Sequence, residues 1–144
     1  MNKSIIFVLL AVFFIACGNK TEIKQAENLT QEKPIVTTAD DSVINVYYFH
    51  GKQRCKTCIA IENVTKNMVV ENYKDNPKVK YIEVNIDEAI NKDLVEKYEI
   101  AFSSLLITKG ENSTDLTEQA FTNAVNSPNV LTNLIKEEVN KRID

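Results

Sequence analysis

The sequence has no tryptophan, one histidine, three cysteines, three prolines and only three glycines in 144 residues. So little glycine excludes the glycine-rich loops that cradle phosphates and the G-x-G-x-x-G fingerprint of dinucleotide sites. Nor is there an excess of positive charge. Seventeen Lys and Arg stand against twenty Asp and Glu, a net charge of −3. A nucleic-acid partner would demand a clustered basic surface, so none is expected. The chain carries no internal repeat and no low-complexity tract. What it does have is 44% apolar residues, enough for a folded core. Its length suits one domain with accessory segments.

The one long apolar run, Ile5 to Ala16, follows Lys3. It is shorter than the roughly 20 helical residues that cross a bilayer core and fits the central region of a signal peptide. The run ends Phe14-Ile15-Ala16-Cys17-Gly18, which resembles the bacterial lipobox, with Phe14 in place of the more usual Leu. That resemblance implies cleavage after residue 16, lipidation of Cys17, and a membrane anchor in a bacterial envelope. Acyl chains contribute roughly 0.8 kcal/mol per buried methylene. Gly18 and Asn19 carry no acidic inner-membrane retention signal, which favours a periplasm-facing site on the outer membrane. Residues 17–41 are polar, with isolated Ile23, Leu29, Ile35 and Val36, and read as a tether.

Residues 42–144 carry the pattern of a folded domain. Val43 to Phe49 is β-branched and aromatic with little alternation, the mark of a central strand covered on both faces, and it stops at His50-Gly51. From Cys58 to Tyr73, Ile61, Val64, Met68 and Val69 recur at helical spacing. Asn76-Pro77 breaks that helix, and Lys78 to Ile86 predicts a second strand. Asp87 is placed to cap a helix bearing Ile90, Leu94 and Tyr98. Leu105 to Ile107 predicts a short buried strand, 109–112 a turn, and Thr114 to Leu116 an edge strand. Ser127-Pro128 opens a last helix with Val130, Leu131, Leu134, Ile135 and Val139 along one stripe. The order predicts an α/β fold: a three-layer α/β/α sandwich around a mixed sheet.

With Cys17 consumed by lipid, one cysteine pair remains, Cys55-Lys56-Thr57-Cys58, at the junction of the first strand's loop and the first helix. Unpaired N–H groups and the dipole at a helix N-terminus favour a thiolate there. Lys52, Arg54 and Lys56 add positive charge around Cys55. Cys55 is therefore the candidate nucleophile and Cys58, one turn further in, the resolving thiol. His50 lies close enough in sequence to tune the thiolate. The carboxylates Glu62, Glu71, Asp87, Glu88 and Glu96 read as solvated helix faces or caps rather than a catalytic pair.

These residues resemble the thioredoxin-like superfamily over roughly 42–143. Phe49 to Cys58 is similar to its strand-and-CxxC segment, and Tyr98 to Gly110 to its later loop, strand and turn. The wording Tyr47-Tyr48-Phe49-His50-Gly51 ahead of Cys55 is also similar to small Bacteroidota envelope proteins labelled nitro-compound reductase subunit or ArsF family. The superfamily resemblance implies a monomeric thiol–disulfide oxidoreductase that needs no cofactor or metal and acts on a protein or small-molecule disulfide or dithiol. Three family features are replaced. Arg54 stands for the Trp before the first Cys, Tyr48 falls near the buried acid, and Ser103 or Ser104 stands for the cis-proline. Loss of that proline opens an alternative: two soft thiolates, with His50 as a third ligand, binding copper(I), zinc or arsenite.

Overall fold

The computed structural model describes residues 41–143. The leader, Cys17 and the tether up to residue 40 lie outside the described residues. Strand β1 spans Ile44–His50, and five consecutive buried side chains end it, from Val46 to His50. The other elements are α1 (Lys56–Tyr73), β2 (Val79–Asn85), α2 (Lys92–Lys97), β3 (Ser104–Lys109), β4 (Asn112–Asp115), α3 (Thr117–Asn123) and α4 (Pro128–Ile143), with a short 3-10 turn at Ala89–Asn91. The sheet order is β2-β1-β3-β4. β2 runs parallel to β1, because α1 returns the chain to the same edge, whereas β3 and then β4 pair antiparallel.

Alternation along β1 divides the core. Ile44, Val46 and Tyr48 face one side, with Leu105 and Ile107 of β3, against α1, α3 and α4. Tyr47 and Phe49 face the other side, with Val84 and Leu106, against Leu94, Val95 and Tyr98. Leu131, Ile135 and Val139 of α4 are fully buried, each worth about 1.5–3 kcal/mol of apolar transfer. This is the thioredoxin-like α/β arrangement, a mixed four-stranded sheet with helices on both faces.

Several sequence expectations are corrected. Helix α1 starts at Lys56, two residues before Cys58, because Cys55 caps it. His50 belongs to the strand and is buried, rather than lying in the loop. Asp87 caps no helix. Its carboxylate accepts the Lys52 backbone N–H at 2.7 Å, fastening the loop before the cysteines. Ile90 falls in the 3-10 turn and is exposed, and Val130 also points outward from the stripe on α4. Helix α3 was not expected at all. It buries only Ala120 within its span, so it shows no apolar stripe of large residues. The available signal was Asp115, whose side chain accepts the Thr117 N–H at 2.7 Å, three residues before Glu118.

Candidate redox site

Cys55 and Cys58 lie at disulfide-bonding distance, with Cα atoms 5.1 Å apart, inside the range that a disulfide spans. Cys55 has extended backbone geometry at the N-cap of α1, and its Sγ accepts the Cys58 N–H at 3.1 Å. The sulfur therefore takes the place that a Ser or Asp oxygen fills at most helix starts, satisfying one of the helix's orphan donors. Cys55 is exposed and Cys58 is buried. An external thiol or disulfide thus reaches one sulfur of the pair and not the other.

The layer beneath is built by register. Tyr48 sits opposite Glu83 on β2 and Leu105 on β3. Its hydroxyl donates to the Cys58 carbonyl at 2.8 Å, tying the strand to the first turn of α1. Burial pushes the phenol above its ordinary value, partly offset by Arg54, so Tyr48 is a neutral donor near pH 7. Of the two serines, Ser103 brings its Oγ to 4.0 Å from Cys58 Sγ, whereas Ser104 opens β3 and turns its hydroxyl back to the Phe102 carbonyl. The structure thereby separates two positions that the sequence left open.

Lys52 and Lys56 are exposed, but Arg54 turns inward. Its guanidinium pairs with Glu62 of α1, reaches Glu83 of β2 at 3.4 Å, and lies 5.8 Å from the centre of the Tyr48 ring. Two carboxylates compensate its charge, so less of that charge is left to Cys55 than sequence position suggests. His50 stacks on Tyr48, and both its nitrogens face acceptors: Nδ1 the Gly51 carbonyl at 2.9 Å and Nε2 the Glu83 carboxylate at 3.0 Å. Sequence reasoning took Glu62 for a solvated helix face, whereas it is largely covered and paired with Arg54, and it did not single out Glu83. The signals were spacing, since Glu62 lies four residues after Cys58 on α1, and strand register, which sets Glu83 beside Tyr48. Among the described residues no three or more of His, Cys, Asp and Glu group as a metal site.

No family model matches the chain, and no curated protein matches it. Solved structures similar to it include the germline-specific thioredoxin Deadhead from Drosophila melanogaster, 19% identical over 69% of this chain and 83% of that one, with a TM-score of 0.48. Thioredoxin O1 from Arabidopsis thaliana in its oxidized state is 27% identical over 68% and 79%, with a TM-score of 0.45. Mitochondrial thioredoxin 3 from Saccharomyces cerevisiae, also oxidized, is 18% identical over 65% and 77%, with a TM-score of 0.42. The fold and site define an α/β domain of thioredoxin-like arrangement with a cysteine pair at disulfide distance where the first helix begins.

Proposed function

We propose that the protein is a membrane-anchored thiol–disulfide oxidoreductase that cycles Cys55 and Cys58 between dithiol and disulfide. The observation that carries this reading is the asymmetry of the pair: an exposed Cys55, whose sulfur receives a helix N–H, with a buried Cys58 at bonding distance behind it. In the reducing direction, the Cys55 thiolate attacks a substrate disulfide, forming a mixed disulfide and releasing one substrate thiolate. Cys58 gives up its proton and attacks the Cys55 sulfur, releasing the second substrate thiolate. Two electrons pass to the substrate and the internal disulfide closes. The N-terminal amides and dipole of α1 stabilise the Cys55 anion by about 0.3–1 kcal/mol at an exposed position. Lys52 and Lys56 add positive charge around the pair, Arg54 and His50 act on it through Tyr48 and their carboxylate partners, and Ser103 rather than Ser104 faces it. Of these, Ser103 brings its hydroxyl to 4.0 Å from the Cys58 sulfur.

Reduction of insulin disulfides tests the reading. Wild type accelerates it, and Cys55→Ser abolishes the acceleration. Equal inertness of both proteins toward insulin and a small disulfide refutes the assignment. A reduction potential near about −270 mV marks a reductant and one near about −120 mV an oxidant. The envelope anchor rests on the Phe14 to Gly18 sequence, and metabolic labelling with a radioactive fatty acid checks it, since Cys17→Ser should remove the label. The soft-metal alternative finds little support, because His50 spends both nitrogens on Gly51 and Glu83. Equilibrium dialysis of the reduced protein against copper(I), zinc and arsenite decides it.

A further inference from the structure

A surface cleft of about 510 Å³ is lined by Phe102, Asp115, Glu118 and Phe121 among others. Phe102 immediately precedes Ser103, the residue whose hydroxyl reaches Cys58 Sγ. It is 63% exposed, the most exposed of the large apolar side chains described, and Phe121 on α3 is 39% exposed. Ile59, one turn beyond Cys55 on α1, is exposed as well. Folding leaves these three without cover: Ile59 follows Cys58 in the chain, Phe102 precedes the serine that reaches Cys58, and Phe121 shares the cleft with Phe102. The cleft's floor is fixed rather than pliable. The Leu105 N–H donates to Thr117 Oγ1 at 3.0 Å, and the Leu116 N–H to the Leu105 carbonyl at 2.8 Å, pinning the start of α3 to β3.

We infer that this cleft is a specificity subsite for a polypeptide partner that places an apolar side chain between Phe102 and Phe121 and a Lys or Arg beside Asp115 and Glu118. The inference rests on the redox reading and narrows its substrate from any disulfide to a polypeptide with an apolar–basic flank. Charge argues for the basic residue. The two acids line the cleft itself, no cation lines it, and neither acid has a salt bridge among the described residues. The volume suits one large side chain and its neighbours, within the roughly 300–1,000 Å³ of ordinary ligand pockets. A small disulfide could reach Cys55 without touching α3, whereas a chain extending past Cys58 toward Phe102 enters the cleft.

Synthetic peptides with one cysteine held as a mixed disulfide with thionitrobenzoate test this, each carrying Leu-Lys, Leu-Glu or Ala-Ala next to the cysteine. Reduced wild type should consume the Leu-Lys peptide about threefold faster, as kcat/KM, than the Leu-Glu peptide, the scale of one exposed ion pair. It should consume it about tenfold faster than the Ala-Ala peptide, from partial burial of one leucine. Glu118→Lys should reverse the Lys-over-Glu preference, while Glu71→Lys, the same charge change near the far end of α1, leaves it in place. Equal rates on all three peptides, or reversal by Glu71→Lys, overturn the inference. Hydroxyethyl disulfide separates the two claims: inertness toward it sinks the redox reading, whereas turnover of it with indifference among peptides sinks only the subsite. The Cys55→Ser/Cys58→Ser protein gives a second reading, because fluorescence anisotropy with cysteine-free versions of the peptides should show the same ranking. No ranking there overturns the subsite whatever the redox result. Self-association that Phe121→Ala abolishes would assign the cleft to a second copy of the chain instead.

Discussion

Arg54→Met removes the cation from the ion cluster under the redox loop while keeping a side chain able to lie on Tyr48. In the folded protein Arg54 is 21% exposed, Glu62 18% and Glu83 33%. Removing one partner of a fully buried pair costs about 3–5 kcal/mol, and exposed pairs are worth about 0.2–1 kcal/mol. This cluster lies between those limits. The substitution leaves two carboxylates without the cation they share, and it forfeits a guanidinium–ring contact of about 0.5–1 kcal/mol. A loss of about 2 kcal/mol follows. With a urea dependence of about 1.3 kcal/mol per molar for a domain of this size, the unfolding midpoint falls by about 1.5 M. Glu62→Gln should then cost less in the Arg54→Met background than in wild type, with a coupling of about 1 kcal/mol. Urea titrations of the four proteins followed by circular dichroism provide the cycle. A single-mutant loss below about 0.5 kcal/mol, or additivity of the two changes, would refute the claim that Arg54 is held by these acids.

Two further outcomes can be measured on the same instrument. Tyr48→Phe deletes the hydrogen bond to the Cys58 carbonyl and should lower stability by about 1 kcal/mol; no change in midpoint would mean that the bond contributes nothing to joining β1 and α1. Glu138 is held down at about 2 by hydrogen bonds from Lys141 and Arg142. Because its folded value lies below the ordinary 4.5, its contribution is complete above that value and is lost as the pH falls toward 2. Glu138→Gln should thus cost about 1 kcal/mol at neutral pH, discounted for its exposed partner Lys141. The gap between wild type and variant should close in acid, and a gap independent of pH would refute the linkage.

The central strands and the two long helices were legible because each carries its own local signal, an apolar run or a helical period. β1 reads as buried on both faces from seven residues alone, and α1 and α4 show large apolar residues at three- and four-residue spacing. The cysteine pair was legible for the same local reason, since strand, loop and helix start are contiguous in the chain. Helix α3 was hidden because small alanines, rather than large residues, make its contact with the core. Ile90 and Val130 matched a periodic pattern and were left outside by the actual paths of a 3-10 turn and of α4.

Local sequence thus determined the strands, the two long helices, their order and the placement of two thiols at a helix start, since backbone propensity and hydrophobic period act over a few residues. Tertiary structure alone decided what surrounds those thiols. Glu83 meets His50 and Arg54 only because β2 pairs in one register with β1. Ser103 rather than Ser104 meets Cys58 because of where β3 begins. Charges and hydroxyls brought together from separate strands and helices interact through space over a few ångströms, and no spacing along the chain encodes that distance.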